Sequence, residues 1–202
     1  MEVEKSNIDP KRSPYYPLPR DLCFETEKPL FRRWAANRKT IVEIGVFEGA
    51  SAKEFRTAMP VDATLHLIDP FIPDSMNPAL RGRRVFAKLN VALVRNGKTR
   101  WYKDYSFNVV KNWNAPIDLL FIDGDHTEKS CERDWLQWSP FIVSGGVVIF
   151  HDARVGRGDG TTWDGWEGPT AVVDRLFRGP NRLENWEIIE EAGTAVAVRR
   201  LK

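Results

Sequence analysis

The side chains of this 202-residue chain that could exchange protons or meet charge gather in a few short runs. Asp123-Gly124-Asp125-His126 and His151-Asp152 set carboxylates beside imidazole, the one side chain that titrates near neutrality without special tuning. Glu43-Ile44-Gly45-Val46-Phe47-Glu48-Gly49-Ala50-Ser51 joins an acidic residue to a turn with two glycines, where the backbone can approach a ligand as no residue with a Cβ could. Its spacing, G-x-x-x-G-x-S, is neither the G-x-G-x-x-G of dinucleotide binders nor a phosphate loop. It has no Lys to hold a phosphate, and Glu43 would repel one. A cationic or zwitterionic nucleoside suits it better than a polyphosphate. Asp69 follows about 24 residues after Gly45, where a carboxylate can accept both ribose hydroxyls of a nucleoside or, more plainly, cap the turn before Pro70.

Each run ends an apolar segment. Thr40–Ile44, Ala63–Ile68, Thr99–Tyr102, Ile117–Ile122 and Val147–Phe150 read as strands, the last preceded by Gly145-Gly146. Helical periodicity runs from about Pro78 to Val94 and from Glu128 to Trp138, and another helix starts near Pro169. Pro29 to Asn37 can form a short helix ahead of the first strand. Two final strands, about Trp186–Glu190 and Thr194–Arg199, are joined by Ala192-Gly193 as a hairpin. Alternating β and α elements predict a doubly wound, mainly parallel α/β sheet, whose ligands bind beyond the carboxyl ends of the strands. The polar runs fall at those ends.

Composition sets the outer bounds. The chain can bury a core as one domain, residues 30–202, after a Pro-rich arm over residues 1–29. Cys23 and Cys131 stand in unrelated contexts, which argues against a disulfide framework and for a cytoplasmic protein. The absence of an apolar run near ~20 residues or of a leader-like start predicts no membrane partner. A net charge of +2 with interspersed signs makes Arg81, Arg83, Arg84 and Lys88 a solvated helix face and predicts no nucleic-acid partner. Trp135 and Trp138 fit a helix packed on the sheet. Trp163 and Trp166, in a glycine-rich loop beside the proposed site, suit a substrate lid.

In order and spacing these runs resemble class I S-adenosylmethionine-dependent methyltransferases of the catechol and caffeoyl-CoA O-methyltransferase type and their bacterial small-molecule relatives. The resemblance rests on Glu43 to Ser51, Leu67-Ile68-Asp69-Pro70-Phe71, Phe121 to His126 and Ser144 to Asp152, and spans roughly residues 38–200. It implies a seven-stranded Rossmann-like sheet with an antiparallel C-terminal hairpin. It implies S-adenosylmethionine as donor, held by Glu43, Gly45, Gly49, Ser51, Asp69 and Asp123, with Asp104 and Tyr105 near the adenine. Lys103 stands where relatives carry glycine. A divalent cation, Mg or Mn, would sit on Asp123, His151 and Asp152. His151 departs from the usual oxygen ligand, and a mixed nitrogen and oxygen set also admits Fe or Zn. His126 or Asp125 would be the general base, Asp125 equally serving as a helix N-cap. The acceptor would be a small-molecule hydroxyl on a sugar, polyol or phenol. An N-methyltransferase, a non-catalytic nucleoside-binding protein and a nicotinamide dehydrogenase are the alternatives. Tyr15, Tyr16 and Phe24 of the arm could cover the acceptor or pack on a second copy in a homodimer.

Overall fold

The computed structural model describes residues 25–72, 83–157 and 164–202. Most of the expected arm, the start of the helix placed at Pro78, Arg81 and Trp163 lie outside the described residues. The elements run α1 (Lys28–Ala35), β1 (Thr40–Ile44), α2 (Ala50–Ala58), β2 (Thr64–Ile68), α3 (Arg83–Ala92), β3 (Lys98–Tyr102), α4 (Ser106–Val109), β4 (Ile117–Ile122), α5 (Glu128–Trp138), β5 (Ile142–Phe150), α6 (Glu167–Val173), β6 (Trp186–Ala192) and β7 (Ala195–Arg200). They form one seven-stranded sheet in the order β3-β2-β1-β4-β5-β7-β6.

Strands β1 to β5 pair in parallel, and β7 enters antiparallel beside β5. Strand order reverses between β1 and β4, so a crevice opens beyond their carboxyl ends. The sheet is covered on both faces, which explains the near-continuous apolar runs of its central strands. Leu119 and Phe121 of β4 face a core shared with Phe31 and Phe55; Leu120 and Ile122 face the opposite core, with Trp135, Trp138 and Phe177. Trp135 and Trp138 are therefore core residues, as their helical spacing suggests.

Some boundaries differ from expectation. The fifth strand begins at Ile142, so Gly145 and Gly146 lie inside it; the register shift between Ile117 and Leu119 absorbs Gly145, whose φ is +75°. Helix α6 starts at Glu167 and unwinds into a π-turn over Asp174–Arg178. Helix α5 is capped by Thr127, whose Oγ1 accepts the Ser130 N–H. The first helix begins at Lys28, inside the segment read as an arm, and the residue ahead of it belongs to the site below.

Candidate active site

On one side of the crevice the backbone does most of the work. Gly45 has φ +86°, and a Cβ there would stand 1.9 Å from the Asp123 carbonyl oxygen, so the turn after β1 lies against the turn after β4. Gly49, φ +78°, starts α2 and would meet Ala87 at 3.1 Å. Asp69 braces this turn: its Oδ2 accepts the Val46 and Phe47 N–H groups at 3.0 and 2.9 Å, and its Oδ1 accepts that of Phe71. Those bonds hold both phenylalanines at positive φ, a strained setting that turns maintain only when their neighbours enforce it.

Glu43 is fully buried at the end of β1. Its Oε1 accepts the Ser51 hydroxyl, while its Oε2 is buried without a hydrogen-bond partner. Burial drives its pKa well above the usual carboxylate value; Ser51 opposes that rise and nearby Asp123 and Asp69 add to it. A buried carboxylate oxygen without a donor is costly. A cation or N–H group arriving over the glycine turn would satisfy it, which is the fit that an aminoacyl nucleoside sulfonium requires.

Across the crevice, side chains from four separate places close a ring of polar contacts. The Thr194 hydroxyl, after β6, lies 2.8 Å from Glu27 Oε1 and 2.9 Å from Asp152 Oδ1. Glu27 Oε2 lies 3.1 Å from His151 Nε2, and His151 Nδ1 lies 3.1 Å from Asp123 Oδ1. The same Asp123 oxygen is 3.2 Å from His126 Nε2, which is 3.4 Å from Asp152 Oδ2. Asp152 has φ +53°, enforced as the Trp166 N–H bonds its carbonyl and Gly165 packs against its backbone.

The charges in this ring offset one another. Burial resists ionisation of His151, but Asp123, Asp152 and Glu27 outweigh it and raise its pKa well above the usual value. Burial opposes charging of His126 too, and the Asp123 hydrogen bond with the Asp123 and Asp152 charges leaves its pKa raised. Against burial, the histidines hold the Asp123 carboxyl below its usual range, and His151 with Thr194 does so for Glu27. His126 reaches outward: its side chain is 31% exposed, and the Trp166 ring stacks on it with centroids 5.6 Å apart and planes 9° apart.

Asp123, His126 and Asp152 each offer a ligand atom, all within 4.8 Å of one another. The structure thus groups His126 with the two carboxylates where the sequence reading had His151; both nitrogens of His151 already face Asp123 and Glu27. Two carboxylate oxygens and one imidazole nitrogen fit a divalent cation of the Mn, Fe or Zn type better than Mg. Asp125 stands apart. It is exposed, and its carboxylate accepts the Thr127 N–H at 2.8 Å, as a cap does. Asp104 and Tyr105 are exposed: Asp104 accepts the Tyr105 N–H and an Asn108 amide, and Tyr105 stacks on Phe107. Ser106, buried beside them, donates to Asp134 Oδ1. Burial pushes the Asp134 carboxyl up to about 6.

Sequence reasoning missed Glu27 and Thr194. Nothing around either carries a motif: Glu27 meets His151 and Thr194, 124 and 167 residues further on, and Thr194 meets Asp152 from 42 residues away. Only the Gly193-Thr194 hairpin turn offered a signal: a Cβ at Gly193, φ +55°, would stand 2.6 Å from the Glu27 side chain.

Residues 42–153 match the model of a family described as a methyltransferase domain, and the chain belongs to that family. The fold agrees. A solved protein from Corynebacterium glutamicum superposes with a TM-score of 0.66 at 16% identity, over 91% of this chain and 82% of that one. The O-methyltransferase TomG of Streptomyces achromogenes, involved in tomaymycin synthesis and solved in complex with SAM, gives 0.56 at 19% identity, over 87% and 78%. A curated sequence from Dictyostelium discoideum, probable allantoinase 2, is 35% identical over 104 residues, 50% of this chain and 18% of that protein. The chain spans about half or less of the length of the curated relatives it matches. Fold and site together define a class I, Rossmann-like methyltransferase. Within that class this chain carries its methyltransferase domain over residues 42–153, and none of its described helices is long and apolar enough to cross a membrane.

Proposed function

We propose that this chain methylates a hydroxyl of a small-molecule acceptor, with His126 as the general base. One observation carries the reading: the donor turn and the proton-handling ring meet at Asp123, whose carbonyl packs on Gly45 and whose carboxylate faces His126. Bound S-adenosylmethionine would supply a sulfonium methyl open to displacement. Glu43 Oε2 would take its ammonium group, and Gly45 and Gly49 would let it lie on the backbone. Asp69, with both oxygens turned to the loop, would act chiefly by holding that loop, its remaining lone pairs reaching the ribose.

A hydroxyl must shed its proton as it attacks, and a positioned base is worth ~10²–10⁴ in rate. His126 is the ring with an outward edge. Asp123 and Asp152 fix its Nε2 and stabilise the imidazolium that proton uptake creates. Trp166 presents a flat surface above it, suited to the face of a phenol or sugar ring. A divalent cation held by Asp123, His126 and Asp152 would supply the alternative means, lowering the pKa of the acceptor hydroxyl. His126 would then be a ligand and not a base.

Calorimetric titration of S-adenosylhomocysteine, with EDTA and then with Mg²⁺ or Mn²⁺, tests the donor half. Methyl transfer to parallel panels of hydroxyl and amine acceptors tests the rest. Micromolar product binding and turnover on hydroxyls in EDTA support the reading; turnover only with added cation moves His126 to the ligand role. Turnover confined to amines would replace O- by N-methylation, and no binding would remove the donor assignment.

A further inference from the structure

We propose that Glu27 is a positioning residue of the catalytic edge: it fixes the ring of His151 and, through it, the carboxylate of Asp123. Glu27 is fully buried, and its first oxygen accepts both the N–H and the hydroxyl of Thr194, each at 2.8 Å. Its second oxygen faces His151 Nε2 at 3.1 Å. A buried carboxylate with no task beyond packing would cost more than an apolar side chain of the same size. Nor does it serve its own helix. Glu27 stands at the N-cap of α1, yet its side chain makes no capping bond there. It reaches instead across the sheet edge into a cradle that Gly193, lacking a Cβ, leaves open.

What that reach holds is the orientation of one ring. Phe31 and Phe121 flank His151 with centroids 6.1 and 5.5 Å away, which fixes the plane of the imidazole but not which edge faces which way. Glu27 and Asp123 fix that, one nitrogen each. A half-turn of the ring would put carbon atoms against both carboxylates. With the ring fixed, Asp123 Oδ1 is held from one side by His151 and turned to His126 on the other. Groups that orient a site residue from behind carry 10–100-fold effects when removed. Glu27 and Thr194 both lie outside the stretch, residues 42–153, that matches the family model. The brace is therefore a property of this chain's flanks.

The role in methyl transfer rests on the function proposed above, whereas the hold on the ring does not, and one set of measurements separates them. The chain has three histidines, His66, His126 and His151, so ring-nitrogen NMR of the 202-residue chain resolves each, with His151→Asn assigning its signals. Glu27→Gln keeps size and the bonds from Thr194 but turns an amide N–H toward His151 Nε2. The expected result is that His151 Nε2 changes from donor to acceptor, with its signals moved, while those of His66 stay. Glu27→Ala should broaden or split the His151 signals. S-adenosylhomocysteine affinity should remain within about twofold in Glu27→Gln, and turnover on a hydroxyl acceptor should fall ~10–100-fold. An unchanged His151 pattern in Glu27→Gln would overturn the proposal, since that variant preserves the packing that a merely structural residue supplies. Failure of the wild-type protein to bind S-adenosylhomocysteine would instead remove the donor reading and leave the ring result standing.

Discussion

The two walls of the crevice are built by different means. The wall after β1 and β2 is made of backbone: two glycines at positive φ, amide groups locked onto Asp69, and a single buried carboxylate with an open oxygen. The wall after β4 and β5 is made of side chains: three carboxylates, two imidazoles and a hydroxyl drawn from four separate places in the chain. A nucleoside of fixed shape is well served by a rigid backbone mould. Moving a proton needs groups whose charges balance and can be rebalanced. The contrast predicts that damage on one side should leave the other readable.

The largest separation should come from His126→Ala. Turnover is expected to fall ~10²–10⁴-fold with S-adenosylhomocysteine affinity unchanged, measured by single-turnover kinetics beside calorimetry; normal turnover across pH would strip His126 of its role. Gly45→Ala should breach the contrast by damaging both walls. Its Cβ would fall 1.9 Å from the Asp123 carbonyl at a φ of +86°. We expect ~2–4 kcal/mol of lost stability, from overpacking and backbone strain, together with loss of product binding. Wild-type stability in this variant would mean the two turns are not in contact.

Away from both walls, His66 supplies a control for pH effects. It is buried on β2 with Nδ1 3.0 Å from the Tyr102 hydroxyl, and burial, aided by the Arg100 charge, lowers its pKa to about 4. Between about 6.5 and 4 the unfolded chain takes up a proton that the folded chain refuses. Its contribution is thus complete above about pH 6.5 and is lost as pH falls toward 4, by up to about 3 kcal/mol. Denaturant unfolding of wild type and His66→Gln across that range should converge at low pH; parallel curves would contradict the assignment. The smallest effect should be that of Glu43→Gln, which removes the open carboxylate of the backbone wall. Product affinity should weaken by ~1–3 kcal/mol while the melting temperature does not fall, since a desolvated acid is replaced. Unchanged affinity would take Glu43 out of the donor site.

This difference in construction also decides what was legible in the sequence. Glu43, Gly45, Gly49 and Ser51 sit within nine residues, so strand, turn and helix start could be read as one local unit, as could the apolar strands and the hairpin. Asp123, His126, His151 and Asp152 stand out in the sequence because each lies just past the end of an apolar strand. How they partner was not visible. The sequence reading gave His151 to a cation and left His126 or Asp125 as base; the geometry turns His151 toward Glu27, sets His126 between Asp123 and Asp152, and leaves Asp125 capping a loop. Those choices depend on side-chain directions at two strand ends, which spacing cannot supply. Glu27 lay hidden for a further reason: it belongs to a segment whose prolines mark it as outside the core, and only the closing hairpin explains its burial.

That the ring closes through Thr194 has a bearing on how the protein is made. The glycine turn, Asp69 and the first five strands are complete once residue 150 has been synthesised, and they can fold as the chain emerges. The ring needs Glu27, from before the first strand, to meet a residue 167 positions later, a contact whose loop-closure cost is among the greatest this chain bears. On the ribosome the donor wall should therefore take shape early, while the ring lacks Thr194, its link between Glu27 and Asp152, until the last hairpin slides in beside β5.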